Sequence, residues 1–282
     1  MSTALVLGGG GITGIAWELG ILAGLAQGGP DHVGIDLSGA DLVIGTSAGS
    51  VVGAQITSGA AIEELYDRQL APPSGELAAA MGRDVMVKYV ASALWPGSDQ
   101  RSRAILGRLA LRAHTVPEAE RRTAIQARVP RDQWPDRQLL ITAVRARDGT
   151  FAVFDKTSGV SLVQAVGASC AVPIVWPPVT IGGERYIDGG ARSVANADLA
   201  VGCSTVVVLA PSTLALRRSA RLPRQLAQLG ADVRTLVLEP DESARAGMGQ
   251  NSLDPALRAD AARAGRAQAR TLHAAVAAAT GA

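Results

Sequence analysis

The pentapeptide Gly45-Thr46-Ser47-Ala48-Gly49 has the G-x-S-x-G spacing of a serine nucleophile held on a sharp turn. Such chemistry needs a hydroxyl projected clear of the sheet edge, and Gly45 and Gly49 let the backbone turn without Cβ clashes. A helix N-terminus behind Ser47 would also favour developing negative charge. A glycine-bounded turn with Ser47 as an N-cap satisfies the same five residues, so the motif needs company. Asp188-Gly189-Gly190 supplies a carboxylate at the end of the extended Arg185-Tyr186-Ile187, a position that suits a catalytic base. In isolation this tripeptide reads as a turn Asp followed by glycines. A third group is the run Gly8 to Gly11, continuing to Gly14, whose unblocked amides can converge on an oxyanion. The same run matches G-x-G-x-x-G through Gly9, Gly11 and Gly14, with Asp36 downstream where a carboxylate would hold a ribose, so dinucleotide binding is a rival from another class. That rival leaves Ser47 and Asp188 without roles, whereas ester hydrolysis uses all three groups.

The elements that must position these residues follow from hydrophobic periodicity. Ala4 to Leu7 reads as a buried strand before the glycine loop, with a helix from about Gly14 to Gln27; Asp41 to Ile44 and a small-residue helix to about Thr57 repeat the unit around Ser47. Residues from about 60 to 137 are mostly helical, broken at Ala71 to Gly75 and Trp95 to Ser98, and read as a helical cap or insertion. Gln138 to Arg145 and Thr150 to Phe154 flank Asp148-Gly149, a hairpin signal that makes the sheet mixed. Leu162 to Ala168 reads as helix, Glu184 to Ile187, Thr205 to Leu209 and Thr235 to Leu238 as strands, and Leu253 onward as an Ala-rich terminal helix. Strands alternating with helices predict a layered α/β fold with helices on both sheet faces, and no linker divides the expected single domain, 1–282.

Composition narrows the classes. With 48% hydrophobic and 18% charged residues the chain is globular, and a net charge of +2 with 3% aromatics argues against nucleic-acid binding. The N-terminus lacks a signal-peptide pattern and no apolar run is long enough to span a bilayer, so the expected place is the cytoplasm, with at most peripheral membrane contact. Cys170 and Cys203 read as buried free thiols. His32, His114 and His273 have no metal-site spacing, so no metal or cofactor is implied. Ser47, Asp188 and His273 do follow the order of an α/β-hydrolase triad, but His273 sits in a helix-like run that reads as surface. Leu214 to Arg224 mixes apolar and basic residues that suit an anionic lipid surface, and Met81, Met86, Tyr89, Val90 and Leu94 form an apolar helix face that reads equally well as core. Oligomeric state, acyl length and headgroup leave no trace in these patterns.

The glycine loop, the G-x-S-x-G elbow and Asp-Gly-Gly, in that order, resemble the patatin-like phospholipase family. So does the stretch from Gly167-Ala168-Ser169-Cys170-Ala171-Val172-Pro173 through Trp176 to Asp188. The resemblance implies a three-layer α/β/α sandwich with a mixed, mostly parallel sheet and a helical cap. It further implies a Ser47–Asp188 dyad without histidine, oxyanion donors at Gly9, Gly10 and Gly11, and supporting glycines at 14, 45, 49, 189 and 190. Its activity would be hydrolysis of acyl lipid or simpler esters without metal. Thr13 departs from the pattern, since many relatives carry Arg or Lys there. A non-catalytic binding protein on the same fold is the remaining alternative.

Overall fold

The structure, a computed structural model, describes residues 2–29, 33–72, 75 and 77–281; His32, and Pro73 and Ser74 of the expected break, lie outside the described residues. Its sheet contains strands β1 (Thr3–Leu7), β2 (Leu42–Gly45), β3 (Gln138–Arg145), β4 (Phe151–Phe154), β5 (Val179–Ile181), β6 (Glu184–Asp188), β7 (Thr205–Leu209) and β8 (Arg234–Leu238). The hydrogen-bonded path runs β5-β6-β3-β2-β1-β7-β8, with β4 paired to β3. Pairs among β8, β7, β1, β2 and β3 are parallel, and those made by β4, β5 and β6 are antiparallel.

Period-two alternation decides what each face buries. Leu5, Leu7, Val43, Ile141, Val207 and Leu209 face the larger core, while Ala4, Val6, Ile44, Val206 and Val208 face the smaller one. The larger core lies under helices α1 (Gly11–Gln27), α2 (Ala48–Ile56), α7 (Leu162–Ser169) and α10 (Arg258–Thr280). The opposite layer is thinner, formed by short helical turns around Ala197–Ala200, α8 (Leu222–Leu226) and α5 (Asp99–Leu111). The fold is thus the expected three-layer α/β/α arrangement with a mixed sheet.

Helix α1 is apolar nearly all round, as a helix enclosed between sheet and neighbour must be. It meets α10 at backbone distance: a Cβ on Gly20 would lie 2.2 Å from the Ala262 carbonyl oxygen. This close approach explains the Ala-rich terminal helix, which begins at Arg258 after a short turn at Pro255–Leu257 and not at Leu253. The region read as one helical cap divides. Helices α3 (Ile62–Leu70) and α6 (Glu118–Arg128) pack into the α-layer, against α1 and α10 and against α7 respectively. Only α4 (Arg83–Leu94) and α5 pack on each other as a hairpin beside the site.

The registers bring the site together. Ile141 pairs with Gly45 and Phe154, and Ala143 pairs with Ala152 and Asp188. Since β4 occupies one edge of β3 throughout this stretch, β2 and β6 must share the other. Gly45 and Asp188 therefore sit two β3 residues apart, roughly 6.6 Å along the strand. Where β2 stops and the chain turns into Ser47, β6 takes over the edge and delivers Asp188.

Candidate active site

Ser47 occupies φ 52°, ψ −115°, a region that costs a non-glycine residue about 1–3 kcal/mol and persists only where its surroundings enforce it. Here they do. A Cβ on Gly49 would lie 2.1 Å from the Leu7 carbonyl oxygen, and one on Gly45 2.6 Å from Ser50 Cα, so the elbow is clamped to β1 and to its own helix. The Ser47 amide donates to Ser169 Oγ at 2.8 Å, and its carbonyl accepts from Ser50 Oγ at 2.6 Å and Cys170 Sγ at 3.2 Å. Cys170 and Cys203 are both free and buried.

Asp188 is 4% exposed, and burial pushes its pKa up to about 7. Three neighbours favour the charged form and oppose that rise: the Ser47 hydroxyl, the Gly190 amide, which donates to Oδ1 at 2.7 Å, and the Arg121 charge. Arg121 is itself buried, with its guanidinium 4.0 Å from the Trp176 ring centroid. Gly189 packs so closely on β3 that a Cβ there would lie 2.2 Å from Thr142 Oγ1. Thr142 Oγ1 meets Thr46 Oγ1 at 2.9 Å, and Asn196 Nδ2 donates to Thr46 Oγ1 at 3.0 Å. This buried network ties the elbow strand to the aspartate loop.

In the glycine loop the amides divide. Gly8 donates to the Leu209 carbonyl at 2.9 Å and Gly9 to the Val194 carbonyl at 2.7 Å, whereas among the described residues Gly10 and Gly11 have no such partner and line the same cavity as Ser47 and Asp188. The Gly9 amide is spent on holding the loop, so of the expected trio only the Gly10 and Gly11 amides are left to face the cavity. Gly14 serves packing, its Cα side meeting Pro211 and Ala48. Thr13 is fully buried, and its amide donates to the Ser252 carbonyl at 3.1 Å, so its side chain does not reach the cavity. Asp36 accepts from the Ser38 amide in an exposed turn and does not line this cavity, so the residues of the dinucleotide fingerprint do not converge.

The cavity has a volume of about 320 Å³, within the range of small-molecule sites. Its wall comes from α4, α5 and the 212–220 segment, including Met86, Tyr89, Arg103, Leu106, Leu214 and Arg217. Burial pushes the Tyr89 phenol pKa well up, and the nearby Asp188 charge adds to the rise. Neither His114 nor His273 lines the cavity. His273, read from sequence as a surface residue, is buried, with Nε2 2.8 Å from the Val33 carbonyl oxygen. Among the described residues no cluster of His, Cys, Asp or Glu could hold a metal ion. The pairing of an elbow serine with a buried carboxylate suits acyl transfer through a covalent serine intermediate.

Sequence reasoning missed Ser169, Thr142, Asn196 and Arg121. Ser169 alone had a signal, its place in the Gly167–Pro173 stretch; Tyr89 had been read only as part of an apolar face.

The family model described as patatin-like phospholipase matches residues 5–201, well over half of the chain. No curated protein sequence matches. Among solved structures, VipD from Legionella pneumophila is similar at 14% identity with a TM-score of 0.44, over 97% of this chain and 66% of that one. The type III effector protein ExoU is similar at 16% identity with a TM-score of 0.39, over 96% of this chain and 53% of that one. The chain thus spans less than two thirds of the length of either.

Proposed function

Because the chain belongs to the patatin-like phospholipase family, we propose that it hydrolyses carboxylic esters of lipids, with Ser47 as nucleophile and Asp188 as base. The observation that carries this reading is the placement of Ser47, on its strained elbow, and the buried Asp188 carboxylate in one cavity, with burial raising the Asp188 pKa to about 7. A carboxylate of that basicity accepts the serine proton far better than one in the ordinary range, so histidine is unnecessary. Ser47 Oγ attacks the ester carbonyl as its proton passes to Asp188, and the Gly10 and Gly11 amides receive the oxyanion. Asp188 returns the proton to the departing alcohol, leaving an acyl-serine. Water then gives a proton to Asp188 and attacks the acyl group, and the acid leaves as Ser47 regains its hydrogen.

Contact with lipid is peripheral in this reading. No helix among the described residues is long and apolar enough to cross a membrane. Leu94, 75% exposed, and Trp95, 50% exposed, line a surface groove with Arg218 and Arg224 next to the cavity, and Leu214, 60% exposed, lines the cavity itself. Apolar side chains rimmed by arginines suit an anionic lipid surface. Two buried free cysteines fit a reducing cytoplasm.

Turnover of p-nitrophenyl butyrate tests the assignment. Ser47→Ala and Asp188→Asn each lower kcat by about a thousandfold or more, as loss of nucleophile or base does in serine hydrolases. His114→Gln and His273→Gln keep it within about threefold if folded. Loss of turnover on His273→Gln, with the fold intact, would replace the dyad by a triad.

A further inference from the structure

The site's three working parts leave separate strands: the glycine loop follows β1, the nucleophile β2 and the base β6. One short stretch, residues 189–196, touches all of them. It starts next to the base at Gly189, and midway the Val194 carbonyl accepts the Gly9 amide at 2.7 Å. At its far end Asn196 reaches the nucleophile's strand. Asn196 Nδ2 lies 3.0 Å from Oγ1 of Thr46, the residue before Ser47, and 3.3 Å from Thr142 Oγ1 on β3. It is also 2.7 Å from the Ser193 carbonyl and 3.5 Å from the Gly189 carbonyl.

Asn196, Thr46 and Thr142 are fully buried, so each bond among them is made without competition from water. The Asn196 backbone is left-handed, at φ 52° and ψ 37°, a conformation that Asn adopts more readily than most side chains. Its amide has one orientation. A guanidinium only donates, so Arg192 Nη1, 2.7 Å from Oδ1, decides which end is the oxygen, and Arg192 is held in turn by both oxygens of Asp198 at 3.0 and 2.6 Å. Nδ2 is left to face the four oxygens above with two hydrogens. The two shortest approaches are to the Ser193 carbonyl and Thr46 Oγ1, so one hydrogen closes the loop on itself and the other crosses to the nucleophile's strand. An asparagine that served only its own loop would need the first bond and not the second.

We propose that Asn196 is a positioning residue for the Ser47–Asp188 pair, setting the distance over which the serine proton passes by tying Thr46 to the turn that follows Asp188. This rests on the hydrolase reading above and adds a residue to its machinery. Asn196 does not line the cavity, so it acts through Thr46 and not on the substrate. Proton transfer needs the two heavy atoms within hydrogen-bond reach, and a displacement of about 1 Å costs on the order of a hundredfold in rate. Loss of one buried tie, with the close packing of Gly189 on Thr142 still in place, costs part of that.

The test begins with Asn196→Gly, which keeps the left-handed backbone without steric cost and deletes the amide. Its kcat for p-nitrophenyl butyrate falls roughly thirtyfold while KM stays within about threefold, and labelling of Ser47 by a fluorophosphonate slows by a similar factor to kcat. A merely structural asparagine gives another pattern, a lower Tm with kcat and labelling rate of the folded protein within about threefold of wild type, and that result overturns the proposal. A second arm holds even if Asn196→Gly does not fold. Thr46→Ser keeps a hydroxyl for Nδ2 and Thr46→Val does not, so kcat of the first exceeds that of the second by at least about fivefold; equal values overturn the proposal. Where both single variants fold, Asn196→Gly combined with Thr46→Val falls no more than about threefold below the worse single variant, because both remove the same tie, whereas losses that multiply overturn it. If wild type neither turns over the ester nor takes the fluorophosphonate on Ser47, the hydrolase reading fails and the proposal with it. Wild-type turnover that survives both Asn196→Gly and Thr46→Val defeats the proposal alone.

Discussion

The floor and the wall of the cavity are built on different principles. The floor, made of the glycine loop, the Ser47 elbow and the Asp188 turn, is backbone geometry: strand ends, a positive φ and contacts with no room for a Cβ. The wall, from α4, α5 and the 212–220 segment, is a set of side chains on short elements, tied together by bonds such as Arg217 to Asp99 and Ser219 to Asp99. The floor accordingly sets the reaction, and the wall sets what reaches it. Changes in the floor should abolish chemistry on every ester, while changes in the wall should redistribute preference among esters.

The largest effect expected from a change that removes no reacting group is at Gly49. Its Cβ would meet the Leu7 carbonyl oxygen at 2.1 Å, backbone against backbone, so Gly49→Ala must move the elbow. We expect a loss of about 3 kcal/mol or more in stability, roughly a 10 °C fall in Tm, and more than about a hundredfold loss in turnover from misplaced Ser47. Unaltered turnover and Tm would break the claim that the floor is held by close contact.

A medium effect sharpens the comparison through pH. Asp188 must be ionised to act as base, so kcat/KM rises through an apparent pKa near 7 and levels off above it. The stability effect has the opposite sense. A carboxyl with a raised folded pKa binds more protons folded than unfolded between the two pKa values, so its stabilising contribution is lost as pH rises through about 7. Asp188→Asn escapes that loss, and its Tm should exceed that of wild type by several degrees at about pH 8 and by less at about pH 5. An identical Tm difference at both pH values would show that Asp188 is not held near neutrality.

The smallest effect on chemistry belongs to the rim. Leu94→Ser with Trp95→Ser should lower co-sedimentation with anionic phosphatidylglycerol vesicles at least severalfold more than it lowers turnover of p-nitrophenyl butyrate. Equal losses in both would make the rim part of the floor's machinery.

The same division explains what was legible in the sequence. Gly45, Gly49, Gly189 and the glycine loop announce the floor because few other residues fit such close contacts, and the apolar strands before Ser47 and Asp188 fix where they emerge. The helix after the glycine loop starts at Gly11, three residues earlier than expected, because the glycine run itself forms its first turn, with the Gly14 amide donating to the Gly10 carbonyl at 2.9 Å. The wall was not legible: Tyr89 and Arg103 lie on helices whose patterns fit a surface or a core equally well. Nor does periodicity name a helix's partner, which is why α3 and α6 were grouped with the cap although they pack in the α-layer. His273 was misread for a related reason. A helix of small residues can approach α1 closely enough to bury a ring that its own pattern leaves outside.

The most direct test of the central claim is exposure of the folded protein to a fluorophosphonate, followed by mass mapping of the adduct. The Ser47–Asp188 dyad predicts a single adduct on Ser47, its rate rising with pH through about 7, lost in Ser47→Ala, strongly slowed in Asp188→Asn and preserved in His273→Gln. An adduct on another residue, or labelling of Ser47 that is indifferent to Asp188 but abolished by His273→Gln, would contradict it.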